Sequence, residues 1–104
     1  MFTKAIAKKL ALKLIKELEA NNIPIKHSYL FGSVVTNKNT EFSDIDIALI
    51  SDIFTGFGYD DRKKINPYII KINSCIEPHP FTSSEFTENN PFAKEVIRTG
   101  IKII

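Results

Sequence analysis

The distribution of apolar and polar residues predicts alternating helices and strands along the chain. Residues 4–20 form the clearest helix, because apolar side chains recur there at steps of three and four. That apolar stripe consists of Ala7, Leu10, Ala11, Leu14 and Leu18. The lysines of the segment lie mostly off the stripe, so we interpret them as a solvated helix face and not as a basic binding patch. Thr3 is expected to cap this helix, and Pro24 follows its end.

Three shorter segments have the apolar content expected of strands: residues 25–31, 45–50 and 74–77. The second of them, IDIALI, is apolar on both faces in its second half, which favours a central, covered strand. Pro78 and Pro80 are expected to end the third, because proline cannot donate a hydrogen bond to a neighbouring strand.

Helices and loops are predicted between and after these strands. Residues 52–58, DIFTGFG, are predicted to form a flexible link, and residues 59–73 a helix in which Pro67 makes a kink or a new turn. Residues 82–88 begin with a potential capping box. Residues 91–100 fit a last helix, with proline in its first turn and glycine at its end. Strands interspersed with covering helices predict an α+β (layered α/β) fold.

Length and composition set limits on the class of protein. A chain of 104 residues is expected to form a single domain over residues 1–104, and a net charge of +2 does not by itself indicate nucleic-acid or membrane binding. Cys75 is the single cysteine, which excludes a disulfide within the chain and favours a reducing compartment. Lysines interrupt the apolar residues near the N-terminus, unlike in a signal peptide, and no apolar run approaches a membrane span of ~20 residues. We therefore expect a cytoplasmic protein.

Two aspartates at the start of the second strand are the first candidates for chemistry. Asp44 and Asp46 are two residues apart, so a strand would place both on one face, with Cα atoms ~6.5–7 Å apart. Ile45 and Ile47 would then face the core. Two carboxylates this close repel each other unless a cation lies between them. Mg²⁺ suits such oxygen ligands, and a pair of ions ~3.5–4 Å apart is a second possibility.

Gly32 and Ser33 follow the first strand and are candidates for phosphate binding. Glycine lets the backbone turn tightly and approach a ligand closely. If a helical turn begins at Ser33, its free N–H groups make an anion site, and the serine hydroxyl adds one donor. An Asp-x-Asp pair alone is more often a turn, a cap or a solvated strand end. Next to a Gly-Ser pair, and with each pair at the end of an apolar run, it predicts a triphosphate site with its metal.

In these residues the sequence resembles the nucleotidyltransferase superfamily, which has a DNA polymerase beta-like fold. It is most similar to the small minimal nucleotidyltransferases (MNT proteins), in which Gly-Ser precedes Asp-x-Asp by about ten residues. Here that motif is Gly32, Ser33, Asp44 and Asp46, with Ser43 before the aspartates as is usual in the family. The resemblance implies a nucleotidyltransferase fold with a small mixed sheet of three or more strands covered by helices.

The same resemblance implies a third carboxylate on a later strand, and Glu77 in SCIEPHP fits that position. Its alternative role is a solvated strand end. Asp44, Asp46 and Glu77 are then the expected catalytic and metal-binding residues, with two Mg²⁺ ions and ATP as the substrate. His79 lies two residues beyond Glu77, where the rim of the site is expected, and it is flanked by two prolines. We favour a structural role for it, with a role as base or ligand as the alternative.

The sequence departs from the family where Arg-Gly is common, because Thr36 and Asn37 stand there. Asparagine tolerates a left-handed backbone, so the turn is expected to survive. The missing arginine removes a phosphate contact, for which Lys38 is the expected substitute.

The resemblance also implies a partner, because MNT proteins act as antitoxins of helical HEPN-domain RNase toxins in toxin–antitoxin pairs. Some transfer AMP to a tyrosine of the toxin, so a protein adenylyltransferase is the first hypothesis. The alternatives are a catalytically weak module that neutralises its partner by binding, and transfer to a small molecule. Neither a membrane nor direct nucleic-acid binding is expected.

Overall fold

The computed structural model describes residues 2–38 and 44–104, and within these ranges the chain forms four helices and four strands. The helices are α1 (Lys4–Ala20), α2 (Ser33–Thr36), α3 (Gly58–Ile72) and α4 (Pro91–Thr99). The strands are β1 (His27–Phe31), β2 (Ile45–Ile50), β3 (Ile76–Phe81) and β4 (Ile101–Lys102). No helix in the described ranges has the length and apolar character needed to cross a membrane.

The four strands form one mixed sheet in the order β3-β2-β1-β4. β1 runs antiparallel to both β2 and β4, whereas β2 and β3 run parallel. β2 is therefore an inner strand, and five of its six residues are buried. This confirms the predicted α+β fold with a mixed sheet, and the prediction of a central, covered strand at residues 45–50.

The two faces of β2 belong to different apolar clusters. Ile45, Ile47 and Leu49 pack with the buried faces of α1 and α3 in the main core. Ala48 and Ile50, on the opposite face, pack with Val96 of α4 and a group of aromatic side chains. Since side chains alternate along a strand, the face of Ala48 and Ile50 is also the face of Asp46.

The prediction that the third strand ends before Pro78 was wrong, because β3 continues through both prolines to Phe81. β3 lies at the edge of the sheet, and the carbonyls of Cys75 and Phe81 accept bonds from β2 and the residue after it. Backbone direction alternates along a strand, so Pro78 and Pro80 turn their nitrogens away from β2. Neither proline therefore needs an N–H group for the pairing. In agreement, the Pro78 carbonyl accepts a bond from Arg62 Nε at 3.4 Å.

The sequence pattern did not predict β4, which pairs two residues with β1. Gly100 joins α4 to this strand, and a Cβ at Gly100 would lie 2.5 Å from the Val96 carbonyl oxygen and 2.7 Å from that of Leu30. Glycine thus allows the end of α4 to pass tightly against β1. A two-residue strand is too short to show an alternating pattern, so only the end of the helix was visible in the sequence.

The predicted flexible link at residues 52–58 is tied to α3 by a buried carboxylate. Asp61 is 1% exposed, and its Oδ1 accepts bonds from the Thr55 backbone N–H at 2.8 Å and the Thr55 hydroxyl at 3.0 Å. Its Oδ2 accepts the Gly56 N–H at 3.1 Å. These bonds satisfy the buried carboxylate and fix the path of the link into α3. Pro67 lies inside α3 and does not end it.

The predicted capping box after β3 forms, but no helix follows it directly. Glu85 N–H donates to the Thr82 hydroxyl at 3.3 Å, and Thr82 N–H donates to Glu85 Oε1 at 2.9 Å. The residues from 83 to 90 are turns and bends. Asn90 then caps α4 by accepting from the N–H groups of Phe92 and Ala93, so α4 starts at Pro91 as predicted.

Replacing Asp61 with alanine is expected to lower the free energy of unfolding by about 2–3 kcal/mol, because two backbone N–H groups and one hydroxyl lose their acceptor. Asp60 is the matched control, since it occupies the same first turn of α3 but is exposed. Asp60→Ala should cost less than about 1 kcal/mol, the loss of a carboxylate near a helix N-terminus. Urea unfolding of both variants checks this, and equal losses would contradict the assigned role of Asp61.

Candidate active site

The register of the sheet brings Asp46 and Glu77 side by side. In the parallel pairing of β2 with β3, Asp46 is opposite Glu77, and in the antiparallel pairing with β1 it is opposite Phe31. Paired residues of neighbouring strands share a face, and the strands lie ~4.8 Å apart. Two of the three predicted carboxylates therefore meet on one face near the start of β2.

Gly32 lies directly against the Asp46 carboxylate. A Cβ built on Gly32 would overlap Asp46 Oδ2, so only a residue without a side chain fits this position. The Gly32 backbone has φ 77° and ψ −152°, a region that is essentially restricted to glycine. Space and backbone conformation both require glycine, and the Gly-Ser and Asp-x-Asp motifs are in direct contact.

Ser33 begins α2, a helix of one turn that follows Gly32. The N–H groups of Val35 and Thr36 both donate to the Gly32 carbonyl at 3.1 Å. The N–H groups of Ser33 and Val34 come before the first intrahelical bond, as at any helix start. This geometry is consistent with the predicted phosphate position, at the end of α2 that adjoins Asp46.

Asn37 and Lys38 end α2 on the side away from Gly32. Asn37 has φ 62°, the left-handed conformation expected where the family commonly has glycine. The Lys38 N–H donates to the Ser33 carbonyl at 3.1 Å, and its side chain is exposed. The Lys38 ammonium forms no ion pair with any residue that the structure describes. Lys38 thus lies beyond the end of α2 that is opposite Gly32, and its predicted phosphate contact stays a prediction.

Asp44 directly precedes β2, at the same end of the sheet as Asp46 and Glu77, and it is exposed. The bond from Ile45 N–H to the Cys75 carbonyl, at 2.9 Å, holds the starts of β2 and β3 together. Within residues 2–38 and 44–104, the carboxylates of Asp44 and Glu77 form no hydrogen bond or ion pair, and both residues are exposed. Ser43, which the family motif includes, lies outside the described residues.

The arrangement fits a Mg²⁺ ion that arrives with phosphates better than a preformed protein-only site. Among residues 2–38 and 44–104, no group of three or more His, Cys, Asp or Glu side chains is close enough to hold a metal ion. Mg²⁺ is usually bound through only one or two carboxylates together with substrate phosphates. Asp46 and Glu77 are a suitable pair, and the Asp46 carboxylate lies against Gly32, in the space that a side chain there would take.

His79 lies in the site, although its position suggested a structural role. Its Nε2 is 3.2 Å from Asp46 Oδ1, and its ring contacts Phe31 with centroids 4.9 Å apart and Phe92 with centroids 5.9 Å apart. The bond and the ring contacts together fix the orientation of one carboxylate oxygen. The sequence signal for the position of His79 was its spacing of two residues from Glu77. Because β3 extends through the prolines, this spacing places both side chains on one face of the strand.

Replacing Gly32 with alanine is expected to lower the free energy of unfolding by about 1–3 kcal/mol, because of the strained backbone and the clash with Asp46 Oδ2. Gly58→Ala is the matched control, because a Cβ there meets only Arg62 Nη1 at 3.8 Å. That change should be neutral or should stabilise by less than about 1 kcal/mol. Thermal unfolding of both variants provides the measurement, and an unchanged midpoint for Gly32→Ala would contradict the described contact.

Comparisons with known proteins show the family and the fold of the chain. The family model "Polymerase beta, Nucleotidyltransferase" matches residues 13–104. The crystal structure of a "putative nucleotidyltransferase" from Sulfolobus solfataricus is similar in fold, with a TM-score of 0.65 and 17% identity. That similarity covers 92% of this chain and 78% of the Sulfolobus chain. No protein of curated function matches the sequence. Because the family model spans most of the chain, the protein belongs to the polymerase beta nucleotidyltransferase family.

Proposed function

We propose that this protein is a Mg²⁺-dependent nucleotidyltransferase that transfers AMP from ATP to a hydroxyl group of a partner protein. The observation that carries the proposal is the contact of Gly32 with Asp46 Oδ2, beside Glu77 on the neighbouring strand. It joins a potential phosphate-binding turn to two carboxylates at one point of the fold. Nucleotidyl transfer needs such a combination, because the phosphates and their cation must be held together.

Each residue of the site has a separate role in the proposed reaction. The triphosphate lies against Gly32 and Ser33, and Asp46 and Glu77 would hold Mg²⁺ together with the phosphates. Asp44, at the same end of the sheet, would complete the ligands once these have bound. When bound, Mg²⁺ neutralises phosphate charge and makes the α-phosphorus more electrophilic. The acceptor oxygen forms a bond to the α-phosphorus, and the bond from that phosphorus to the bridging oxygen breaks, so pyrophosphate leaves with the electron pair. Glu77, which is exposed and has no described partner, accepts the proton of the hydroxyl.

The proposed acceptor is a tyrosine hydroxyl of a HEPN-domain partner, as the resemblance to MNT proteins implies. The exposure of Asp44 and Glu77 supports a macromolecular acceptor, because their end of the sheet is open to solvent in the described residues. A side chain on the surface of another protein could therefore reach the α-phosphorus. Modification of this tyrosine would make the protein an antitoxin that acts by catalysis.

Two observations favour a second candidate, a module that neutralises its partner by binding alone. Thr36 and Asn37 stand where the family commonly has Arg-Gly, so one positive charge near the phosphates is missing. His79 also bonds to one carboxylate oxygen of Asp46, so the other oxygen is left to bind a cation. In this candidate the fold of a nucleotidyltransferase is retained, and complex formation prevents toxin activity.

Replacing Asp46 with asparagine is expected to weaken Mg²⁺-dependent ATP binding at least tenfold, because the amide keeps the shape but loses the charge that holds the cation. Asp60→Asn, an exposed control on α3, should bind like the parent protein. Titration calorimetry with and without Mg²⁺ measures the effect, and circular dichroism checks that both variants are folded. Equal ATP affinity for the parent and Asp46→Asn would show that the site lies elsewhere.

Incubation of a HEPN-domain partner with this protein and MgATP is expected to increase the partner's intact mass by one or more AMP units. Mass spectrometry detects the change, and Asp46→Asn serves as the inactive control. A stable complex without any mass change would support the binding module and reject catalysis. Neither modification nor a complex would reject this partner class.

A further inference from the structure

A groove between α2 and α4 adjoins the candidate active site. Its volume is about 230 Å³, and one wall contains Phe31, Gly32 and Thr36. Phe31 is the β1 residue paired with Asp46, and Gly32 contacts the carboxylate of Asp46. The groove therefore begins where the triphosphate is expected to lie and extends from there toward α4.

The opposite wall belongs to α4 and offers an aromatic surface. Phe92 is 45% exposed although it is a large apolar residue, and it packs edge-on against Phe31, with centroids 5.5 Å and planes 89° apart. A ring held in this way by a second ring presents a fixed surface to a flat ligand. Stacking of nucleobases on aromatic side chains is a common and sequence-tolerant way to bind them.

The polar atoms of the groove are mostly acceptors. The Thr99 hydroxyl donates its hydrogen to the Glu95 carbonyl at 2.8 Å, so its lone pairs remain available. The Glu95 carboxylate receives two bonds from Arg98 Nη2 at 2.9 Å and retains further lone pairs. Ribose hydroxyls and the amino group of a base are donors that fit these atoms.

Charge disfavours the phosphate part of a nucleotide in this groove, and size excludes a whole nucleotide. Among the described residues, the charged residue that lines it is Glu95, whose carboxylate is paired with Arg98, so the lining offers phosphates no positive charge. Pockets that enclose whole ligands usually have volumes of ~300–1,000 Å³. A groove of about 230 Å³ suits one uncharged moiety of a larger ligand whose remainder lies outside it.

We propose that this groove binds the nucleoside part of the triphosphate, with the base against Phe92 and the phosphates at Gly32 and Ser33. The inference rests on the proposed function, because it assigns one end of the substrate of that site. It makes α4 a specificity element of the enzyme and assigns a role to Phe92, Glu95 and Thr99.

The experiment compares binding of MgATP with binding of Mg-tripolyphosphate, which has the same phosphates but no nucleoside. The parent protein should bind ATP at least tenfold more tightly. Phe92→Ala should reduce that preference about tenfold and leave tripolyphosphate affinity unchanged, whereas Phe92→Tyr should retain it. Thr99→Phe, which fills the groove from an exposed position and leaves the aromatic contacts intact, should also reduce the preference. Ile70→Ala, at an exposed apolar residue on α3, is the control without effect.

The outcomes separate this inference from the proposed function. Equal affinity of the parent protein for the two ligands, or an unchanged ATP preference in both Phe92→Ala and Thr99→Phe, overturns the groove assignment while the phosphate site stands. Equal weakening of both ligands by the groove variants also overturns it, because the groove would then act on the phosphates. If the parent protein binds neither ligand, the proposed function fails, and the groove assignment fails with it.

Discussion

The contact between Gly32 and the Asp46 carboxylate is the constraint on which the rest of the site depends. It exists because β1 and β2 pair in a register that sets Phe31 opposite Asp46, so the residue after β1 meets the start of β2. A shift of one residue in this register would turn Asp46 into the apolar core and Ile45 or Ile47 toward the turn. Burial of those isoleucines opposes the shift. The buried isoleucines that stabilise the sheet thus also fix the position of the Asp46 carboxylate.

The edge strand β3 adds the remaining groups because it tolerates proline. Pro78 and Pro80 face away from β2, and the residues that alternate with them, Glu77 and His79, keep their pairing with β2. Glu77 thereby lies beside Asp46, and His79 bonds to it. Proline on the outer side also leaves β3 with few free donors, which disfavours pairing with a further strand. The same two residues therefore support both the site and the edge of the sheet.

Much of this arrangement was predictable from local patterns, and the parts that were not depend on distant contacts. The helical stripe of residues 4–20 and the apolar run of β2 are local signals, and each was predicted correctly as an element. The Gly-Ser and Asp-x-Asp motifs are also local signals, and the structure brings them into contact. The full length of β3 was not predicted, because a strand tolerates proline when it lies at an edge of the sheet. The edge position is a property of the whole sheet and not of the local sequence. Asp61 was predicted only as part of the helix at residues 59–73, since its burial follows from how the link packs on α3.

Under the proposed function, phosphates and a cation enter together at the two neighbouring carboxylates and the glycine turn. Their joint position at the start of β2 is tested most directly by paramagnetic NMR, with Mn²⁺ in place of Mg²⁺ and a non-hydrolysable ATP analogue present. Substoichiometric Mn²⁺ should first broaden the amide signals of Gly32, Ser33, Asp46 and Glu77, because relaxation by the ion falls steeply with distance. Broadening centred on other acidic residues, such as Asp60 or Glu88, or no selective broadening at all, would contradict the proposed position of the metal and the phosphates.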